Sequence, residues 1–229
     1  GFLAVYMIRD SAVEGSENLG EKASQISSGA MIDELEDSIT MQARDKASLA
    51  QDKLEGYARS MSLTAEYAAS LYRRPYDYPD RNVKYASEEN AGKWTMQLLL
   101  ENESLDYEKM LPEIMLLGNM EDVFSPIVDS YENITTIYIG TEDGIMVSYD
   151  KDSQLAAGEE NRYYEYKDTW WYKLGKETKE CTFTDTYWDG YGRGLTITCV
   201  CPVYNDKGRF LGCAAMDILM NDLNNAMVS

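Results

Sequence analysis

The chain has no histidine among its 229 residues. That excludes histidine-based triads, histidine acid-base chemistry and the usual histidine-containing zinc sites. Cations are also scarce: 21 Lys and Arg stand against 40 Asp and Glu, for a formal charge of -19. A surface of that sign repels phosphates, so neither a nucleic acid nor an anionic membrane surface is an expected partner, whereas a cationic ligand is easier to accommodate. Most of the acidity reads as a solvated face. Cysteine is limited to Cys181, Cys199, Cys201 and Cys213, with no CxxC spacing, which rules out a thioredoxin-like motif or a zinc knuckle. Cys199 and Cys201 are two apart in a predicted strand and share a face; buried free thiols are the favoured reading, with a disulfide as the alternative. No phosphate-cradling glycine loop or metal cluster is written in the chain, and no spacing singles out a carboxylate acid and base. An enzyme, for instance a carboxylate hydrolase, is therefore the weaker expectation, and no cofactor is implied.

The chain does have enough apolar content, 44%, for a globular core. It opens with GFLAVYMI, too short to span a bilayer; residues 1–9 read as a stub of a transmembrane helix, a tag remnant or an apolar turn. Apolar or small residues at Met31, Leu35, Ile39, Ala43, Ala50, Leu54, Tyr57, Met61, Ala65, Ala68 and Leu71 recur at helical spacing. They predict one long helix within residues 10–75, starting near Asn18 to Ser24 and ending at RRPYDYPD. A helix of that length exceeds what a small domain needs for its own core. The expectation is that part of it projects, packs along a second copy as a homodimer seam, or leads to a membrane. Helical patterns follow at Glu88 to Leu100, Tyr107 to Leu117 and Met120 to Tyr131, with Pro112 and Pro126 placed near first turns. The period then changes to strands at Ile134 to Ile139, Ile145 to Tyr149, Cys181 to Thr186, Leu195 to Tyr204 and Phe210 to Met216, with hairpin turns at TEDG and Asn205 to Gly208. The expectation is an α+β module over residues 76–217, a five-stranded antiparallel sheet flanked by helices. Residues 218–229 read as the start of a connector helix.

One segment fits neither period. YYEYKDTWWY, Tyr163 to Tyr172, puts six aromatic rings into ten residues. Together with the long helix, the hairpin IYIGTEDGIMVSYD, the YWD loop and the ending ITCVCPVYNDKGRFLGCAAMDI, it resembles the extracytoplasmic Cache sensor domains of bacterial receptors, with a PAS-like sheet, and in particular the membrane-distal half of double-Cache domains. It is also similar to sensor regions from Gram-positive anaerobes. The resemblance implies an extracellular ligand-sensing domain, anchored to the cell membrane in the full-length protein. It also implies a cytoplasmic output and a membrane-proximal module beyond residues 217–227.

The amino-acid-binding subgroup of that family has a spaced signature, and Tyr164, Trp171, Tyr172, Tyr187, Asp189 and Asp217 stand at matching places. The signature arginine does not: Thr169 occupies its position, with Arg162 and Lys167 nearby. The resemblance thus implies that aspartates and aromatic faces hold an ammonium group while the bidentate carboxylate anchor is lost. A small amine is the expected ligand, with Asp168 adding charge at the rim. An amino-acid sensor using Lys167 in place of the arginine is the alternative, and a ligand-free structural or adhesive ectodomain a further one. Simpler roles stand beside these. Asp217 reads equally as a helix N-cap and Asp189 as a turn residue. One of Trp170 and Trp171 reads as packing, and a register slip would exchange Tyr164 with Tyr163 or Tyr166.

Overall fold

A computed structural model describes residues 29–220. The GFLAVYMI opening, the helix start near Asn18 to Ser24 and residues 221–229 of the connector helix expected over residues 218–229 lie outside the described residues. By internal contacts the chain divides into two units, Gly1–Gly56 with Leu223–Ser229, and Tyr57–Asp222. Helix α1, Gly29–Arg73, runs through the boundary, and the described part of the first unit is its N-terminal portion.

In the second unit α1 buries Tyr57, Met61, Ala65, Ala68 and Leu71, the three-to-four spacing of the sequence turned into one apolar stripe. It stops before Pro75, which restricts the residue ahead of it. Arg73 in the last turn donates from Nε to both carboxylate oxygens of Asp206, at 2.7 and 2.8 Å. A cation there also suits the helix dipole.

The other elements are β1 (Lys84–Tyr85), β2 (Thr95–Leu100), α2 (Tyr107–Leu117), α3 (Glu121–Ser130), β3 (Ile134–Thr141), β4 (Ile145–Asp150), α4 (Trp170–Glu177), β5 (Thr182–Phe183), β6 (Tyr187–Trp188), β7 (Leu195–Tyr204) and β8 (Phe210–Leu219). The sheet order is β1-β2-β4-β3-β8-β7-β5, with β6 also paired to β7. The five strands expected from the sequence form the PAS-like antiparallel run β4-β3-β8-β7-β5. The sheet is larger than expected, because β2 adds antiparallel to β4 and β1 parallel to β2.

Three expectations need correction. Glu88 to Leu100 is not a helix: a short 3-10 turn, Glu88–Asn90, and Gly92 at φ 73 lead into strand β2. Met96 to Leu100 is nearly all apolar apart from Gln97, and so short a run has no period that separates strand from helix. Pro112 and Pro126 each lie at the sixth helical residue, one turn deeper than expected. Finally, β8 continues through Asp217 to Leu219, so Asp217 caps no helix and the connector helix expected from residue 218 does not begin there.

Alternation gives the sheet two faces. Ile137, Ile139, Val147, Ile197, Met216 and Ile218 share one, all fully or nearly fully buried. On the other, Tyr138, Met146, Val200, Cys213 and Ala215 cluster with Trp171 and Tyr172 of α4. Gly175 permits that close approach: a Cβ there would lie 2.6 Å from both Cys213 Sγ and Val200 Cγ2.

Two of the four cysteines follow the favoured reading of buried free thiols and two take the alternative. Cys181 and Cys201 form a disulfide, while Cys199 and Cys213 are free and buried. Pairing of Thr182 with Val200 sets Cys181 opposite Cys201 across adjacent strands, a relation visible only once the register is known. The bridge staples the short edge strand β5 to the sheet. Replacing both cysteines by serine is expected to lower stability by ~2–4 kcal/mol in urea unfolding. An unchanged midpoint, with or without reductant, would show that the bridge contributes nothing.

Candidate functional site

The second face of the sheet is apolar at the α4 end and polar at the other. Gln97, Thr136, Ser148, Asp150 and Asp217 line a cavity of about 490 Å³. Buried polar side chains are costly unless partnered, so such a row on a covered face marks a site.

Asp217 lies near the sheet's centre, between Thr136 of β3 and Thr198 of β7. Its Oδ1 accepts from Thr198 Oγ1 at 2.7 Å and from the Tyr138 hydroxyl at 2.9 Å. The Tyr187 hydroxyl bonds Thr198 Oγ1 at 2.8 Å. Burial pushes the Asp217 carboxyl up to about 6, against the opposing effect of these hydroxyls and of Arg193.

A second charged group closes one end. Asp189 Oδ2 accepts from the backbone N–H groups of Tyr191 and Arg193 and from Arg193 Nε; its Oδ1 accepts from Arg193 Nη2 at 3.0 Å. The same arginine reaches Asp150 at 3.2 Å, Asp152 at 3.3 Å and the Thr135 carbonyl at 3.3 Å through Nη1. That carbonyl is exposed by a bulge in the β3–β8 ladder between Ile134 and Thr136. Burial alone would raise the Asp189 carboxyl, but Arg193 holds it below the usual range; for Asp150 burial prevails and the carboxyl is raised.

The aromatic segment forms the wall. Tyr164 N–H donates to the Leu100 carbonyl at 2.8 Å and fastens the run to β2. Trp171 packs edge-on against Tyr138 with ring centroids 5.0 Å apart, and its Nε1 donates to the Tyr164 hydroxyl at 3.5 Å. At the rim, half-exposed Trp170 meets Tyr187 edge-on at 4.7 Å. Tyr166 turns inward, fully buried, and donates to the Thr141 carbonyl at 2.6 Å. A second hollow of about 350 Å³, between Ala58, Ser62 and Ala65 of α1 and the disulfide, has only Lys179 and Glu180 as charged lining.

Residues 118–225 match the family model described as the first PDC sensor domain of methyl-accepting chemotaxis protein-like receptors. Over that stretch the chain is similar to a PDC, or Cache, sensor domain. Its fold is similar to that of the ligand-binding domain of the Pseudomonas aeruginosa PAO1 amino acid chemoreceptor PctC in complex with GABA. There the TM-score is 0.55 and the identity 19%, over 85% of this chain and 68% of that one. PctB of the same organism, in complex with L-Arg, gives 0.54 and 15% over 85% and 62%. Campylobacter jejuni Tlp3 in complex with 4-methylisoleucine gives 0.51 and 16% over 81% and 59%. The chain therefore spans about three fifths of the length of the Tlp3 and PctB domains. No curated protein matches the sequence.

In this chain Tyr164, Trp171, Tyr187, Asp189 and Asp217 come together around the cavity, and Trp170 joins them. Trp170 and Trp171 both border it because the space wraps the first turn of α4. Tyr172, Lys167 and Thr169 do not line it. The Tyr172 hydroxyl donates to Glu142 Oε1 at 2.8 Å and Lys167 Nζ to the Glu142 carbonyl at 2.7 Å, so the β3–β4 turn draws both away. Thr169 turns its hydroxyl to the Tyr166 carbonyl at 2.5 Å, just ahead of α4. Asp168 is exposed and pairs with Lys173. Arg193, Asp150 and Asp152 escaped the sequence reading. The signal for Arg193 lay in WDGYGRG, where an aspartate two and four residues ahead of backbone donors folds the loop back on itself.

An unfolded aspartate titrates near 3.8, so between about pH 4 and 6 the folded protein holds a proton on Asp217 that the unfolded chain has released. Stability therefore falls as pH rises through that window and stays lowered above it. Asp217→Asn is expected to be more stable than the parent by ~1–3 kcal/mol above about pH 7, the difference closing below about pH 4, in urea unfolding across pH. Equal stability at all pH values would remove the burden assigned to this carboxylate.

Proposed function

We propose that the cavity binds a small ligand bearing an ammonium group, and that the chain is the extracellular sensor of a bacterial membrane receptor with a cytoplasmic output. The observation that carries this reading is the charge of an aromatic-walled cavity: four aspartates line it against a single arginine. The ammonium sits at Asp217, whose dry surroundings strengthen a charge-assisted hydrogen bond, with Tyr138, Tyr164, Trp171 and Tyr187 offering ring faces. The amino groups of GABA and L-Arg in the related complexes fit the same chemistry. The Cys181–Cys201 bridge suits an oxidising compartment outside the cytoplasm. Lys167, held at Glu142, offers no anchor for a ligand carboxylate.

Signalling follows from differential affinity. A ligand that binds one arrangement of the cavity loops better than another shifts the population toward it, and β8, which carries Asp217, leads directly into the C-terminal segment.

A thermal-shift screen against primary amines, polyamines, amino acids and organic acids is the test, since a ligand of the folded state raises Tm. Amines should give the shifts, and Asp217→Asn should weaken them at least about thirtyfold. Because the ammonium needs an ionised Asp217, Kd should rise about tenfold per pH unit below about pH 6 and be flat above it. Organic acids as the sole hits, or amine affinity equal at pH 5 and pH 7, would overturn the reading.

A further inference from the structure

Every nitrogen of the Arg193 guanidinium is engaged. Nε and Nη2 form the two-point fork with Asp189, which also holds the loop through the Tyr191 and Arg193 backbone N–H groups. Nη1, on the other edge, is divided among Asp150, Asp152 and the Thr135 carbonyl. The arginine side chain is only 13% exposed, yet it borders the cavity, as do all three aspartates. Asp150 and Asp152 are coupled: the Asp152 N–H donates to Asp150 Oδ1 at 2.7 Å.

We propose that Asp150 and Asp152 determine specificity by masking Arg193. They occupy the guanidinium edge that would otherwise bind a ligand carboxylate, so that the cavity selects amines over amino acids. The inference rests on reading this cavity as the ligand site. Asp189 alone neutralises Arg193 and fixes the loop; Asp150 and Asp152 add two negative charges that the loop geometry does not require. A ligand carboxylate would have to displace one of them and then sit beside both, and like charges in a poorly solvated space repel strongly. With both replaced by asparagine, one guanidinium faces one carboxylate and Nη1 is left with neutral acceptors, which an incoming carboxylate outcompetes because charge-assisted bonds are the stronger. Asparagine keeps the Oδ1 acceptor used by the Asp152 N–H, so the turn after β4 is retained.

Calorimetric titration of the domain with propionate, L-alanine and butylamine separates the possibilities. The parent should bind butylamine and neither carboxylate. Asp150→Asn/Asp152→Asn should gain propionate and L-alanine binding by at least about tenfold, and adding Arg193→Gln should abolish the gain. Asp152→Asn alone, at the more exposed of the two positions, should move the same way by less and serves if the double variant does not fold. No gain in a folded variant, a gain that survives loss of Arg193, or equal propionate binding by the parent would overturn the masking. Failure of the parent to bind butylamine would instead count against the ammonium site, with the propionate titrations still deciding the role of Asp150 and Asp152.

Discussion

A carboxylate buried near the centre of a sheet has to be solvated by the protein itself, and the arrangement of this domain follows from how Asp217 meets that demand. Its cross-strand neighbours are threonines on both sides, and Thr198 turns its hydroxyl to it. Tyr138, two residues along β3 from Thr136 and so on the same face, brings a second hydroxyl from within the wall. These donors favour the ionised form but do not fully replace water, which is why the carboxyl titrates near 6. The residual cost is the kind tolerated at a functional position, and a bound cation would relieve it.

The rest of the cavity supports that centre. Tyr163 bridges to Leu100 at the β2 edge, Tyr164 and Trp171 face inward, Tyr166 is wedged over the Thr141 carbonyl, and Tyr172 reaches Glu142. The irregular spacing of rings in YYEYKDTWWY therefore has a simple origin: the segment changes from bridge to short turn to helix within ten residues, and its rings alternate between wall and core. At the opposite end the three-glycine loop after Trp188 is held in shape by Asp189 and Arg193, so this wall is set by electrostatics.

What could be read in the sequence was what is local or strongly periodic. The end of α1 at Arg73, helix α2 and the TEDG and Asn205 to Gly208 turns follow from residues near one another in the chain. The grouping of Tyr164, Trp171, Tyr187, Asp189 and Asp217 around one cavity was legible only through the family resemblance. Strand β2 was missed because both its faces are covered. A disulfide was only the alternative reading, and its pairing was not named, because its partners meet only through the β5–β7 register. Lys167 and Tyr172 were misplaced because Glu142, on a distant turn, competes for their polar ends. Arg193 was missed because its importance comes from Asp150 and Asp152, some forty residues away in the chain.

The central claim is that a ligand ammonium is held by ionised Asp217. The most direct measurement is the proton balance of butylamine binding at pH 6, from calorimetry in buffers of different ionisation enthalpy. With its carboxyl near 6, Asp217 is about half protonated in the free domain, so binding should release about half a proton per ligand, falling to nearly none at pH 8. Heats of binding independent of the buffer at pH 6 would contradict the account, because the ammonium would then be held somewhere other than at this carboxylate.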